Sequence, residues 1–248
     1  MAEIHELPLT ASTNSDAKRL AEDGAPHGTV VWAHRQTAGR GRHGRAWQGT
    51  DGNLFWSILL RPEPSWPSLG ELVYANALAV LSACRQVTGD STPFALKWPN
   101  DLLLHGRKVA GSLLEARMTP SRHADWVIVG TGINIVHHPE DSEVLFPATS
   151  LHAAGYTQVQ REDFVVLLRD QLLDHIQRWL ELGFSTIRQD YKRELFHLNQ
   201  MVHVGTGPDR STYRHGVLKD VSEDGALLLL DEAGVLHRLH SGDVLLPA

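Results

Sequence analysis

The sequence predicts an α+β protein in which a large first domain, residues 1–198, precedes a small β-barrel, residues 199–248. Two strand-like runs, residues 29–34 and 53–60, flank a loop rich in glycine and arginine, so the loop joins two strands of one sheet. Three amphipathic helices are expected, at residues 68–87, 161–182 and 185–197. From residue 201 onward, closely spaced short strands alternate with glycine-containing turns, a pattern typical of a closed or nearly closed barrel.

The other predicted elements follow from local signals. The first ten residues are too short for a domain, and no element is assigned to them. Residues 12–16 (STNSD) are helix-capping types, and the helix that they begin ends at Gly24. Further strands of the first domain are predicted at residues 94–98, 102–104, 108–115 and 126–129, with turns at 99–101 and 105–107 and a loop over 139–149. Strands of the second domain are predicted at residues 201–204, 213–221, 226–230, 235–239 and 244–246.

The helix predicted at residues 161–182 has a clear apolar face. Its predicted buried stripe consists of Phe164, Val165, Leu168, Leu172, Ile176, Trp179 and Leu180.

Composition limits the classes of function. The net charge is −6, from 29 acidic against 23 basic residues, whereas proteins that bind nucleic acid in bulk are usually basic. The Gly/Arg loop is therefore a local basic feature, which favours a discrete anionic ligand. The single Cys84 fits a reducing compartment, the first residues do not form a secretory signal, and no apolar run is long enough to span a membrane. We expect a cytoplasmic protein. The 15 histidines are scattered, so no protein metal site is predicted.

Four polar clusters stand at predicted strand ends or turns: residues 12–14 (STN), 36–47 (QTAGRGRHGRAW), 97–101 (KWPND) with 108–111 (KVAG), and 130–134 (GTGIN). Taken singly, each has a structural explanation: a helix cap, a solvated basic loop, a turn or hairpin, and a strand bulge. Residues 130–132 do not begin a dinucleotide fingerprint, because Ile135 stands where a third glycine is needed. Together, the cations and neutral amides suit phosphoryl or nucleotidyl transfer, which depends on positioning and charge neutralisation.

In this order, the clusters resemble those of the biotin–protein ligases (biotin–acetyl-CoA-carboxylase ligases), and the resemblance covers the whole chain. It implies a catalytic domain with a mixed sheet backed by helices, related to class II aminoacyl-tRNA synthetases, and a small C-terminal barrel. It also implies two reaction steps. Biotin and ATP give biotinyl-adenylate and pyrophosphate, and a lysine of the biotin carboxyl carrier protein of acetyl-CoA carboxylase then takes the biotinyl group.

The resemblance also assigns residues. The biotin-binding set is Ser12, Thr13, Asn14, Gln36, Gly39, Arg40, Gly41, Arg42, Lys108 and Gly111. The ATP- and adenylate-binding set is Arg42, Arg45, Trp47, Asn100, Lys108 and Asn134. Arg42 and Lys108 are expected to neutralise charge where carboxylate meets phosphate, and Asp101 is the candidate base for the acceptor lysine. Mg²⁺ is expected with ATP, held by phosphate oxygens and water rather than by protein ligands.

Several expectations and alternatives accompany this interpretation. The Gly/Arg loop is expected to be mobile without ligand and to close as a lid over the adenylate, which water would otherwise hydrolyse. His43 stands where the family often has a basic residue. Since Ser12 follows only eleven residues, we expect no operator-binding domain, and we expect a monomer or weak homodimer. The alternatives are a lipoate–protein ligase and, from another class, a nucleic-acid-binding module that uses the Gly/Arg loop.

Overall fold

The computed structural model describes residues 2–120, 123–144, 146–206 and 212–245. Its larger sheet has seven strands in the order β1-β2-β3-β7-β6-β5-β4. They are β1 (Ile4–Leu7), β2 (Val30–Ala33), β3 (Leu54–Leu60), β4 (Phe94–Lys97), β5 (Asp101–Leu104), β6 (Arg107–Met118) and β7 (Ala124–Ile133). The pair β1–β2 is parallel and the other neighbours are antiparallel, so the predicted mixed sheet is confirmed. Strand β1 was not predicted from the sequence.

Helices cover both faces of this sheet. They are α1 (Thr13–Glu22), α2 (Leu72–Thr88), α3 (Glu162–Leu182) and α4 (Phe184–Arg193). Ala17 and Ala21 of α1 pack with Val31 and Leu59 on one face, whereas the larger core, which includes α2, α3 and α4, fills the other. Because β3 is covered on both faces, every residue of its run LFWSILL is buried. No helix among the described residues has the length and apolar character needed to cross a membrane.

Three local predictions are corrected. Leu180 is 41% exposed, because it lies one helical step beyond Trp179 and outside the buried stripe. Helix α4 ends at Arg193 instead of continuing to residue 197. Beyond it, Leu195 pairs with the edge strand β4 and His197 takes a positive φ, so a helix cannot continue. Residues 130–132 form no bulge, since both glycines lie in regular register with β3.

The C-terminal part forms a second, antiparallel sheet in the order β11-β10-β9-β8-β12. Its strands are β8 (Met201–Thr206), β9 (Thr212–Val221), β10 (Leu227–Leu230), β11 (Leu236–Leu239) and β12 (Asp243–Leu245). Within the described ranges, β11 and β12 are the two edges and do not pair with each other, so of the closed or nearly closed barrel that was predicted, a closed one is not found and the described strands form an antiparallel sheet. Leu246, the end of the last predicted strand, lies outside the described residues.

Hydrogen bonds and an ion pair join the second sheet to the α2, β4–β5 and α4 region of the first domain. The Tyr74 hydroxyl and the Trp98 indole N–H both donate to the carbonyl oxygen of Gly225. Lys192 of α4 forms an ion pair with Asp220 of β9 at 2.7 Å. In the same sheet, Asp243 of β12 forms an ion pair with Arg45 of the Gly/Arg loop.

Candidate active site

A cavity of about 360 Å³ opens between the Gly/Arg loop, the first turn of α1, the strands β6 and β7, and β12 of the second sheet. All predicted site residues except Gly39 line it: Ser12, Thr13, Asn14, Gln36, Arg40, Gly41, Arg42, Arg45, Trp47, Asn100, Asp101, Lys108, Gly111 and Asn134. The cavity size is in the range of small-molecule sites. The four sequence clusters therefore converge on one place.

Residues 39–47, which we call the Gly/Arg hairpin, fold back on themselves. Arg40 pairs with Ala46, the amide of Gly41 donates to the carbonyl of Arg45 at 2.7 Å, and the amide of Trp47 donates to Gly39 at 2.9 Å. A Cβ at Gly39 would lie 2.7 Å from the carbonyl oxygen of Trp47. Gly39 thus supports the hairpin backbone, which explains why it is buried beside the cavity without lining it.

One end of the cavity is neutral and extensively hydrogen-bonded. Ser57 of β3, which the sequence analysis did not select, lies 2.7 Å from Asn14 Oδ1 and 2.8 Å from Thr13 Oγ1. An amide oxygen only accepts, so the Ser57 hydroxyl donates to Asn14. The Thr13 hydroxyl has two neighbours for its single proton, Ser57 Oγ at 2.8 Å and Gln36 Oε1 at 3.2 Å. Gln36 Oε1 accepts from the Thr13 amide at 2.8 Å. This leaves lone pairs on Thr13 Oγ1 and N–H groups on Asn14 and Gln36 for a ligand.

Ser12 occupies the N-cap position of α1, as predicted, but its side chain makes no capping hydrogen bond. Its hydroxyl is buried at the cavity wall. The residue therefore contributes a polar group to the neutral end rather than stabilising the helix terminus in the usual way.

The indole of Trp47 lies on a floor of glycine backbone. A Cβ at Gly132 would come within 2.4 Å of the indole, and one at Gly111 would come within 3.1 Å. The ammonium of Lys108 lies 5.3 Å from the centre of the indole ring. The glycines thus determine how deeply Trp47 sits in the cavity.

The other end of the cavity is charged. Asp101 forms ion pairs with Lys108 at 2.6 Å and with Lys97 at 2.8 Å. Burial alone would raise the pKa of Asp101, but Lys108 and Lys97 outweigh it and hold that pKa well below its usual value. Burial lowers the pKa of Lys108, and Asp101 opposes this. Both oxygens of Asp101 are thus held by ammonium groups, which makes its carboxylate a weak base, and its role as the base for the acceptor lysine stays a prediction.

Two arginines of the hairpin complete this end. Arg42 donates to Asn100 Oδ1 at 3.1 Å, and Asn100 is fixed in turn by donating to the Ser112 carbonyl at 2.6 Å. Arg45 forms an ion pair with Asp243 of β12 at 2.9 Å. Burial lowers the pKa of Arg42, while Asp243 and Asp101 raise it.

Lys97, Ser57, Phe146 and Asp243 line or support the cavity without having been selected as site residues. Lys97 had a signal, since it opens the KWPND motif. Asp243 lies nearly two hundred residues from the hairpin, and nothing in its neighbourhood in the sequence indicates the contact.

The carboxylates of the charged end are already paired with cations. Among the described residues, no three His, Cys, Asp or Glu side chains are grouped as metal ligands. Coordination of Mg²⁺ by phosphate oxygens and water of a bound nucleotide stays a prediction.

Comparison with known proteins agrees with this geometry. The family model described as "Biotin/lipoate A/B protein ligase family" matches residues 7–134, and "Biotin protein ligase C terminal domain" matches residues 197–246. The chain is 34% identical to the biotin–[acetyl-CoA-carboxylase] ligase of Paracoccus denitrificans, over 92% of this chain and 94% of that protein. It is 31% identical to the bifunctional ligase/repressor BirA of Bacillus subtilis, over 95% of this chain and 71% of that protein.

Among solved structures, the biotin protein ligase from Aquifex aeolicus in complex with biotin and ATP superposes with a TM-score of 0.80. The two chains are 30% identical, and 98% of each is covered. The chain therefore belongs to the biotin/lipoate A/B protein ligase family and, within it, to the biotin protein ligases.

Proposed function

We propose that the protein activates biotin with ATP to biotinyl-5′-AMP and transfers the biotinyl group to a lysine of the biotin carboxyl carrier protein of acetyl-CoA carboxylase. The observation that carries this proposal is the union, in one cavity, of a neutral hydrogen-bonding end and a cationic end. The relatives that are named biotin ligases support the choice of substrates.

The neutral end suits the ureido ring of biotin. That ring offers two N–H donors and one carbonyl acceptor, while the site offers the lone pairs of Thr13 and the N–H groups of Asn14 and Gln36. A site built to hydrogen-bond a substrate discriminates strongly against analogues that lack the matching groups. Lipoate carries a dithiolane without N–H groups, so it would leave these buried groups unpaired.

The cationic end suits the first chemical step. The biotin carboxylate attacks the α-phosphorus of ATP, a P–O bond forms, and pyrophosphate leaves with the electrons of the broken P–O bond. Arg42 and Lys108 neutralise charge that builds up on the carboxyl and α-phosphate oxygens.

The other residues of the cavity position the substrates. Arg45 turns from Asp243 to the outer phosphates, while Asn100 and Asn134 orient the nucleotide. Trp47 lies against the nucleotide, and the main chain of Arg40 and Gly41 encloses the acyl chain and carboxylate. Mg²⁺ bound to ATP would add further charge neutralisation.

In the second step, the amine of the carrier lysine attacks the carbonyl carbon of the anhydride, an amide forms, and AMP leaves. The amine must lose a proton, and Asp101 remains the residue proposed to accept it. Because two lysines engage its carboxylate, we assign Asp101 first to holding Lys108 in place.

The remaining assignments belong to the same proposal. The Gly/Arg hairpin closes over the adenylate and excludes water. Residues 1–198 form the catalytic domain, related in fold to class II aminoacyl-tRNA synthetases, and residues 199–248 form a domain that contributes Asp243 to the site. The reaction takes place in the cytoplasm, which agrees with the single, buried Cys84.

The test is exchange of labelled pyrophosphate into ATP in the presence of Mg²⁺ and either biotin or lipoate. We expect exchange that depends on biotin and is not supported by lipoate. Exchange with lipoate alone would overturn the substrate assignment, and exchange with neither acid would overturn the activity.

A further inference from the structure

Glu115 lies on β6 beyond the cavity and is not among its lining residues. Its Oε2 accepts a hydrogen bond from Asn14 Nδ2 at 2.6 Å, and the same oxygen lies 3.3 Å from the guanidinium of Arg40. One carboxylate therefore contacts both the first turn of α1 and the Gly/Arg hairpin.

Three strands confine the amide of Asn14. Ser57 of β3 donates to its oxygen at 2.7 Å, and Glu115 of β6 accepts from its nitrogen. Beneath it lies Gly130 of β7, where a Cβ would fall 2.0 Å from the amide oxygen. A flipped amide would place two acceptors, the Glu115 carboxylate and the amide oxygen, against each other, whereas the Ser57 hydroxyl could accept from the amide nitrogen. The orientation of the amide is thereby determined.

We propose that Glu115 is a positioning residue that sets the polarity of the biotin site through Asn14. Resting on the proposed function, this assigns to Asn14 the role of an N–H donor toward the ligand, because its oxygen and one of its N–H groups are already used. The ligand group that this recognises is a hydrogen-bond acceptor such as the ureido carbonyl oxygen.

The two contacts of Glu115 differ in weight. The ion pair with Arg40 joins side chains that are 39% and 42% exposed, and such pairs contribute little. The contact with Asn14 is short, charge-assisted and made to a buried residue. Loss of the acceptor for Asn14 should therefore matter more than loss of the charge opposite Arg40.

Two variants separate these contacts. Glu115→Ala removes both, whereas Glu115→Gln retains an acceptor for Asn14 and removes the charge. In pyrophosphate exchange, we expect Glu115→Ala to raise the KM for biotin about tenfold, with the KM for ATP and kcat within about twofold of wild type. Glu115→Gln should raise the KM for biotin by no more than about threefold. Glu194→Gln, which breaks a carboxylate–arginine pair that does not line the cavity, is the control.

A second readout reports the polarity itself. In 2-iminobiotin a cyclic guanidine replaces the urea, and at neutral pH it is protonated, so an N–H donor stands where biotin has its ureido carbonyl oxygen. It should inhibit the wild type weakly, since it opposes the N–H of Asn14. In Glu115→Ala the amide can turn its oxygen to the ligand. The ratio of the 2-iminobiotin inhibition constant to the biotin KM should then fall about tenfold, while Glu115→Gln keeps the wild-type ratio.

The outcomes are distinguishable. If the wild type shows no biotin-dependent exchange, the proposed function fails first. If exchange is present and Glu115→Ala matches the wild type in both biotin KM and selectivity ratio, the positioning role is overturned. If Glu115→Ala does not fold, as judged by its melting temperature, Glu115→Gln decides. If the selectivity ratio of Glu115→Gln falls as far as is expected for Glu115→Ala, the charge near Arg40, rather than an acceptor for Asn14, controls the site.

Discussion

The neutral and charged ends of the cavity are built differently. At the neutral end, Thr13, Asn14 and Gln36 are held by hydrogen bonds within the protein, and the groups left over form a fixed pattern of donors and acceptors. At the charged end, Lys108 and Arg45 are each paired with a carboxylate of the protein itself. The neutral end is preorganised for a ring, whereas at the charged end these two cations form ion pairs with carboxylates of the protein.

Under the proposed function, this difference gives the two ends different parts in the reaction. A fixed hydrogen-bonding pattern acts on ground-state binding and on selectivity. Cations aimed at a reacting centre act most strongly where charge develops in the transition state. Changes at the neutral end should therefore raise the KM for biotin, while changes at the charged end should lower kcat or alter the KM for ATP.

The largest effect is expected for Lys108→Ala. Loss of the ammonium leaves developing negative charge without its partner, and kcat for biotin-dependent pyrophosphate exchange should fall by about 100- to 1000-fold. Lys18→Ala, on the exposed side of α1, is the control. A kcat within about threefold of wild type would remove Lys108 from the chemical step.

Thr13→Val tests the neutral end. The change keeps the branched shape but removes the hydroxyl that is hydrogen-bonded with Ser57 and Gln36 and offers lone pairs to the ring. The KM for biotin should rise about 10- to 100-fold, with the KM for ATP unchanged. Thr88→Val removes a hydroxyl that bonds within α2 and serves as the control. An equal rise in both KM values would show that the two ends are not separate.

The pH profile provides a third comparison. Burial lowers the pKa of Lys108 from 10.5. Under the proposed role of Lys108 in neutralising negative charge, its charged form is the active one. Activity is therefore full below that pKa and falls about tenfold per pH unit above it, beginning before pH 10.5. In Lys108→Arg, which stays protonated, this alkaline limb should be absent from the rate of exchange at saturating biotin and ATP. Persistence of the limb would assign it to another group.

Gly132→Ala tests the surface shared by both ends. A Cβ there would lie 2.4 Å from the Trp47 indole, so the ring must move. We expect both KM values to rise, each by about fivefold to tenfold. Gly70→Ala, whose Cβ would have no neighbour closer than 3.8 Å, is the matched control. Unchanged kinetics would mean that the position of Trp47 is unimportant.

The smallest effect is expected for Asp243→Asn. Arg45 is 38% exposed and its pair with Asp243 is weak, but phosphate must displace that carboxylate. The KM for ATP should fall by about twofold to threefold, with the KM for biotin unchanged. A rise in the KM for ATP would instead mean that Asp243 positions Arg45 for the nucleotide.

Much of the fold and cavity was accessible from the sequence because the signals are local. The helices follow apolar periodicity and the hairpins follow glycine turns. The four polar clusters retain the order and spacing of a known family. The short β1 was missed since its four residues gave no clear pattern, and it forms by parallel pairing with β2, which is a tertiary effect.

The remaining features depend on contacts between residues that are distant in the chain. Ser57 sits in a continuous apolar run, so nothing in the sequence indicates that its hydroxyl faces Thr13 and Asn14. Lys97 and Lys108 both reach Asp101, and this pairing, which weakens the proposed base, appears only in three dimensions. The contact of Asp243 with Arg45 likewise requires the second sheet to be in place.

The most direct test is calorimetric binding of biotin and of biotin methyl ester to the wild type and to Thr13→Val. The ester keeps the ring but lacks the carboxylate charge. The two-ended account predicts that loss of the carboxylate and loss of the Thr13 hydroxyl each weaken binding, and that their free energies add within about 0.5 kcal/mol. Binding of biotin that is unaffected by Thr13→Val, or losses that are far from additive, would contradict it.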